Sequence, residues 1–230
     1  MTVRSWLFLF MATITALTAQ KRNKERVNIF LDGAFAFGLS AVAAMNLRQG
    51  QELSGAEIAA LKELDEAEKA KKISLGLISR RPRSAAEVER HLRKKQYDDL
   101  IIEKVIDRLT SVDLLNDADF AGYWVEQRET FKPRSRLALR QELMQKGVSR
   151  TIIDAAVNEV DERAAARHAA AKQSRRWTHL PEDEYRAKLG RYLQRLGFPY
   201  DIIRETTNSS WQTINEGEAL QGYWPDIEGE

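Results

Sequence analysis

The chain has 230 residues, of which 43% are hydrophobic and 30% charged, so it can bury a sizeable core and is not a disordered chain. It contains no cysteine, which excludes disulfides and cysteine-ligated metals. The formal net charge is only +2, so a polyanionic partner would have to be met by a local concentration of basic residues.

Residues 1–10 precede the first regular pattern and contain a short apolar stretch. This stretch resembles a signal peptide with Leu17-Thr18-Ala19 as a poor cleavage site, and it is too short and broken for a transmembrane helix. The segment from Ile14 to Gln20 also has the pattern of a β-strand. We expect Met11 to be the natural start and residues 1–10 to be a non-native or disordered extension. A mature start at Gln20 would contradict this.

Residues 11–65 carry the only good β signal. Two runs of alternating apolar residues flank Asp32-Gly33, a pair that accepts the positive φ angles of a tight turn, and this predicts a β-hairpin. Residues 14–20 can add a third strand. Short helices are expected after Ser40 and after Ser54, where Glu57 completes a capping box. We therefore predict a small module of β-hairpin and helix over residues 11–65.

From residue 66 the chain shows only helical patterns, and these patterns recur. Pro82-Arg83-Ser84 returns as Pro133-Arg134-Ser135, 51 residues later. The aliphatic positions return with it: Val88 and Leu92 become Leu139 and Leu143 and, after a further 50 residues, Leu189 and Leu193. A three-helix unit of this size cannot bury its apolar faces alone, whereas stacked copies can.

We therefore predict a mainly α fold, in which three tandem three-helix repeats form an elongated, curved solenoid after the small β-hairpin/helix module. The repeats are placed at residues 66–116, 117–160 and 161–212, with first helices at about 66–79, 118–131 and 161–177. The last helix of the third repeat loses its apolar residues at Thr206-Thr207. We expect that helix to be short or frayed, and residues 213–230 to be an acidic, disordered tail.

No group of side chains has the spacing of a catalytic or metal site. The three histidines, His91, His168 and His179, lie in separate helical contexts without a partner acid or nucleophile at a recognisable spacing. The acidic residues between Asp113 and Asp119 lack the central Gly and distal Glu of a calcium loop, so they are interpreted as helix caps. We expect neither enzymatic activity nor a cofactor.

Basic residues are concentrated at the joint between the first and second helices of successive repeats. Residues 80–95 and 128–150 each carry a net charge of +5, whereas residues 98–119 carry −5. Repeats stacked in register would line these cations along one face, which suits nucleic-acid phosphates or an acidic protein groove. Solvated helix faces are the alternative. Because no aromatic set for base stacking accompanies the cations, any nucleic-acid binding should be independent of sequence.

The candidate partner- or DNA-binding residues are Arg80, Arg81, Arg83, Arg93, Lys94, Lys132, Arg134, Arg136, Arg140, Lys146 and Arg186. Trp124 opens the second repeat and is interpreted either as a core residue or as part of an interface.

Several segments stand in an order and spacing that a known family shares: Ser79–Ser84 with Glu87–Leu92, Leu109 with Leu114–Ala121, and Lys132–Ser135 with Leu139–Leu143 and Lys146-Gly147-Val148. Over about residues 66–204 the chain resembles the RecX family of bacterial regulatory proteins. Arg26 to Ser40 resembles the front end that some members carry. The chain departs from the family at Val112-Asp113, where Gly-Tyr or Gly-Leu is frequent, and at Gln96, where Gly is usual.

The resemblance implies a regulator of recombination and DNA repair that lies in the groove of the RecA filament on single-stranded DNA. Such a protein mostly inhibits the ATPase and strand-exchange activities of RecA. Its partners would be the RecA filament and single-stranded DNA, with no membrane, in the cytoplasm. A monomer is expected because the basic face would repel a second copy. The alternatives are a stand-alone single-stranded nucleic-acid-binding protein without a RecA partner and, if the first 19 residues are a signal, an exported helical adaptor.

Overall fold

The computed structural model describes residues 11–221, with side chains to Glu216, and the predicted extension over residues 1–10 lies outside this range. The strands are β1 (Met11–Ala19), β2 (Arg26–Leu31), β3 (Ala34–Ser40) and β4 (Glu52–Ser54). The helices are α1 (Ala41–Ala44), α2 (Gly55–Ile78), α3 (Ala85–Lys94), α4 (Asp99–Ser111), α5 (Asp117–Phe131), α6 (Arg136–Gln145), α7 (Arg150–Asn158), α8 (Glu162–Ser174), α9 (Glu182–Arg195) and α10 (Tyr200–Gln221). The predicted class is confirmed: the fold is mainly helical, with a small sheet at the front.

The chain divides into two units. The first unit comprises Met1–Arg83 and Glu87–Leu115, and the second comprises Ser84–Ala86 and Asn116–Glu230. The beginning of α3 therefore belongs to the second unit and the rest of this helix to the first. Within the described range, every helix is too short or too polar to cross a bilayer.

The first unit opens with a four-stranded antiparallel sheet in the order β3-β2-β1-β4. Asp32 and Gly33 take positive φ angles of 49° and 87°, which confirms the predicted hairpin turn. The third strand is also confirmed. Ile14, Ile29 and Leu39 are fully buried, one from each of the three long strands. The fourth strand was not predicted, because three residues are too few to show an alternating pattern.

Helix α2 is one continuous helix of 24 residues, although two separate helices were predicted on either side of residue 65. The predicted capping box is present: Glu57 N donates to Ser54 Oγ at 3.2 Å, and Ser54 N donates to Glu57 Oε2 at 2.8 Å. The apolar stripe stops at Asp65, but its buried carboxylate pairs with Arg26 at 3.0 Å and Lys69 at 2.9 Å. The helix continues because a paired charge takes the place of an apolar residue.

Replacing Ser54 by alanine is expected to lower the free energy of unfolding by about 1 kcal/mol, because the N–H of Glu57 loses its acceptor. Urea denaturation followed by circular dichroism measures this change. Ser54→Thr keeps an acceptor and is the matched control. Equal stability of the alanine and threonine variants would show that the cap contributes nothing.

The three helical repeats are built as their sequence offsets predicted. The corresponding side chains of the second helices are fully buried at 0% exposure: Val88 and Leu92 in α3, Leu139 and Leu143 in α6, and Leu189 and Leu193 in α9. The third helices, α4, α7 and α10, each bury at least one member of their Ile-Ile pair, namely Ile101 and Ile102, Ile153, and Ile202. Each repeat therefore has a core of the same design.

In the second unit, the second helix of one repeat begins against the turn that follows the second helix of the next repeat. The start of α6 packs in this way on the turn after α9. Ser135 N donates to Leu196 O at 3.2 Å, and the following Gly197 has a φ of +89°. A Cβ at Gly197 would lie 2.5 Å from Ser135 Oγ. Glycine is therefore required at position 197 for two reasons. The backbone there is left-handed, and the preceding repeat approaches too closely to leave room for a Cβ.

The same contact recurs one repeat earlier, within the second unit. Ser84 Oγ donates to Lys146 O at 2.7 Å, and a Cβ at Gly147 would collide with Ala86 Cβ. Gln96 stands at the corresponding turn of the first repeat, is exposed and has a φ of +63°. No repeat precedes this turn, so no helix packs against it. The turn needs the left-handed backbone, but it has room for a side chain. This explains how Gln96 can stand at this turn.

The last helix of the third repeat is long, and the prediction that it is short or frayed was wrong. Thr206 and Thr207 are only 3% and 6% exposed. Thr207 Oγ1 donates to Arg204 O at 3.1 Å, so its hydroxyl is satisfied within the helix while its methyl group can pack inside. Residues 213–221 of the predicted tail belong to α10, and the rest of that tail lies outside the described residues.

Candidate nucleic-acid interface

Three of the predicted arginines in the first unit are held by acidic side chains. Arg81 forms a two-pronged ion pair with Glu87, with N–O distances of 3.1 and 3.2 Å, and Arg83 lies 3.9 Å from the same carboxylate. Arg93 pairs with Glu89 at 2.8 Å and with Asp99 at 3.1 Å. The Glu87 side chain is only 11% exposed, so this carboxylate fixes the joint at the start of the second helix.

In the second repeat, Glu142 holds the predicted Arg134 and the tryptophan Trp124, together with Arg128, which was not predicted. Its Oε2 accepts from Arg128 Nε at 2.7 Å and from Trp124 Nε1 at 2.8 Å, and Arg134 Nε lies 3.6 Å from its Oε1. Two cations lie over the Trp124 ring: Arg128 Cζ is 4.6 Å and Lys146 Nζ 4.8 Å from the ring centre. Trp124, half-buried against the core, therefore belongs to the internal packing of this repeat.

Arg136 holds the end of α7. Its Nε donates to Val160 O at 2.9 Å, and its Nη2 donates to Val160 O at 2.6 Å and Asn158 O at 3.0 Å. The last carbonyls of a helix lack partners within the helix, so a guanidinium at this place satisfies them. Arg140 forms an ion pair with Asp154 of the same helix, with its Nε 3.1 Å from Asp154 Oδ1. In the third repeat, Arg186 bonds Asn208 at 2.8 Å and pairs with Glu182.

Three predicted residues, Arg80, Lys94 and Lys132, have exposed side chains that make no ionic contact within the described part of the chain. Arg80 and Lys94 belong to the first unit and Lys132 to the second. The eleven predicted residues thus fall into two groups: eight with internal partners and three whose charge is directed to solvent. Exposed cations are available to a phosphate without first breaking an internal bond.

Lys132 lies beside one cation that sequence reasoning did not include, and two more follow that cation in the chain. Lys172 Nζ, on α8, donates to the carbonyl oxygen of Phe131 at 3.3 Å, so α8 passes the C-terminal end of α5. Arg175 and Arg176 follow within one turn and are exposed. We call Phe131, Lys132, Lys172, Arg175 and Arg176 the Lys132 patch. Its only sequence signal was a short run of three cations without an acid, from Lys172 to Arg176.

The position of the Lys132 patch favours positive charge. It lies at the C-terminal ends of α5 and α8, where the helix dipoles leave partial negative charge that cations complement. The Phe131 side chain is 58% exposed beside these cations. Such a surface can attract phosphates, and an exposed ring can stack on an unpaired base. Among the described residues, no three acidic or histidine side chains come together as a metal site.

Four family models match the chain. They are described as the regulatory protein RecX N-terminal domain at residues 12–54 and the first, second and third three-helix domains of RecX at residues 70–109, 116–157 and 161–206.

Curated relatives and solved structures carry the same name. Regulatory protein RecX of Clostridium botulinum (strain Eklund 17B / Type B) is 32% identical over 207 residues, covering 87% of this chain and 97% of that protein. Regulatory protein RecX of Bacillus subtilis (strain 168) is 34% identical over 199 residues, covering 84% of this chain and 75% of that protein. A crystal structure of regulatory protein RecX aligns with a TM-score of 0.68 at 27% identity, covering 86% of this chain and 99% of that one. A crystal structure of RecX from Lactobacillus salivarius aligns with a TM-score of 0.56 at 25% identity, covering 65% and 98%. The chain therefore belongs to the RecX family of regulatory proteins.

Proposed function

We propose that this protein binds the RecA filament on single-stranded DNA and lowers its ATPase and strand-exchange activities, without chemistry of its own. The RecX family implies RecA as the partner. The observation that carries the proposal is the Lys132 patch, where cations from two repeats meet at the surface. We further propose that the protein acts as a monomer in the cytoplasm, and sedimentation at micromolar concentration tests the first of these statements.

The patch would act by electrostatic attraction. Lysine and arginine side chains displace counterions from nucleic-acid phosphates, and this release drives binding whatever the base sequence. Acidic protein side chains in a filament groove offer the same charge. A helical protein held across neighbouring subunits would oppose addition of the next RecA subunit. Inhibition then needs only occupancy of the groove.

The test is the RecA ATPase and strand-exchange rate on single-stranded DNA as this protein is titrated from substoichiometric amounts. Both rates are expected to fall well before one protein per RecA subunit is reached, because one bound molecule blocks growth of a whole filament end. If neither rate falls at any ratio, the protein does not inhibit RecA and the proposal is wrong.

A second candidate is a stand-alone single-stranded nucleic-acid-binding protein, which the exposed Phe131 ring beside the cations favours. Affinity for single-stranded DNA, measured against salt with and without RecA, separates the two candidates. Weak binding to bare DNA and tight binding to filaments support the RecA regulator. Equal affinity for both would favour the stand-alone protein.

A further inference from the structure

The first unit contains a groove of about 1160 Å³ between the β1–β2 loop, α1 and one face of α2. Its apolar side chains include Val42, Leu64 and Leu75, which are 77%, 46% and 36% exposed. Aliphatic side chains that share a concave surface and remain in contact with water mark a place where another molecule can bury them. Sites for small ligands measure roughly 300–1,000 Å³, so this groove has room for a segment of a polypeptide chain.

Both walls of the groove carry cations that can turn to a partner. Lys24 lies in the β1–β2 loop, is exposed and forms no ion pair within the described part of the chain. On α2, Lys71 and Lys72 lie 3.4 Å from Glu68 and Glu25, and all four side chains are at least 39% exposed. Exposed ion pairs of this kind are weak, so these lysines can bind an incoming carboxylate at little cost in free energy.

The remaining cations of the lining belong to the frame of the groove. Arg26 and Lys69 pair with the buried carboxylate of Asp65 at 3.0 and 2.9 Å, so the start of β2 is tied to α2 at this place. Lys21 and Arg22 stand earlier in the β1–β2 loop, and both are exposed without an ionic partner among the described residues. The groove therefore has a fixed frame and a surplus of free positive charge at its loop wall.

We propose that this groove binds an acidic, amphipathic segment of another protein. The apolar side chains of such a segment would pack on the exposed aliphatic residues, and its carboxylates would lie between the lysines of the loop and those of α2. Segments of this kind bind grooves by placing one apolar face inside and leaving charged side chains at the edge. The charge of the groove selects the sign of the partner, because both walls would repel a basic segment.

The same surface is unsuited to a single strand of nucleic acid. Such strands bind where several aromatic rings stack on the bases beside a track of cations. Among the described residues that line the groove, Tyr97 is the only aromatic ring, and the exposed apolar side chains of the lining are aliphatic. The groove shares no residue with the Lys132 patch, so binding of an acidic segment here can be confirmed or excluded whatever the outcome with RecA.

The experiment uses the full chain and a library of random twelve-residue peptides displayed on phage. The library is first passed over a variant that combines Lys24→Glu, Lys72→Glu and Val42→Asp, which removes peptides that bind elsewhere, and is then selected on the unaltered chain. The selected peptides are expected to carry a net negative charge and at least two Leu, Phe or Trp residues. One of them, labelled with fluorescein, should show saturable binding by anisotropy. Lys24→Glu with Lys72→Glu, and separately Val42→Asp, should each weaken that binding at least tenfold.

Matched controls separate the groove from a general effect of charge. Arg48→Glu with Arg108→Glu reverses two exposed cations of the first unit outside the groove and should leave peptide affinity unchanged. The same peptide with every Glu and Asp replaced by Gln and Asn should bind at least tenfold more weakly. Failure to select any peptide, a selected set without an acidic excess, or displacement of the peptide by a strand of twelve thymidine nucleotides would overturn the proposal. Circular dichroism verifies that each variant retains its helices.

Discussion

Replacing Lys132 and Arg175 together by glutamate is expected to weaken binding to RecA-coated single-stranded DNA by roughly tenfold or more, without loss of stability. Both side chains are exposed, and neither has an acidic partner in the described structure. Each phosphate contact on a single strand contributes about 0.7 to the slope of log affinity against log salt. The double variant should therefore lower that slope by roughly 1.4, as measured by fluorescence anisotropy at several salt concentrations.

Arg136 should behave in the opposite way. Replacing it by alanine leaves the carbonyl groups of Val160 and Asn158 without their charged donor, which should lower the free energy of unfolding by about 2 kcal/mol. Arg136→Lys keeps the charge but cannot reproduce the fork of donors, so it should also destabilise the protein. If Arg136→Ala weakened filament binding while stability was unchanged, its bonds to α7 would not be its main role.

The contrast between Lys132 and Arg136 shows where sequence reasoning reached its limit. Both residues lie in one basic run, and composition gives them the same prediction. Their roles differ because the end of α7 lies within reach of Arg136, whereas Lys132 faces solvent. The neighbours of Lys132 are about forty residues away in the chain, and only folding brings Lys172 to the end of α5. The repeat itself was predictable, since buried aliphatic residues keep a fixed period.

The wrong predictions about helix ends share one cause, which is that polar residues were read as the limits of the core. Asp65 interrupts the apolar stripe of α2, yet it is buried and paired with Arg26 and Lys69. Thr206 and Thr207 interrupt the apolar stripe of α10, yet they are buried too. Whether a polar side chain ends a helix depends on whether the fold supplies it with a partner, and a single sequence does not record that.

Replacing Gly197 by alanine is expected to lower the free energy of unfolding by about 3 kcal/mol. The left-handed backbone costs a residue with a Cβ about 1–2 kcal/mol, and the collision with Ser135 Oγ adds about 1–3 kcal/mol. Equilibrium denaturation in urea measures the sum. Gly122→Ala is the matched control, because Gly122 lies within α5 with open space around it. That change should be neutral or stabilising by up to about 1 kcal/mol.

Adding Ser135→Gly to Gly197→Ala separates the two costs. It removes the colliding hydroxyl and loses only a few tenths of a kcal/mol at the cap of α6, so part of the stability should return while the backbone cost remains. If Ser135→Gly restored no stability to Gly197→Ala, the second and third repeats would not meet there. The contact at Gly197 joins the second repeat, which carries Lys132, to the third repeat, which carries Arg175.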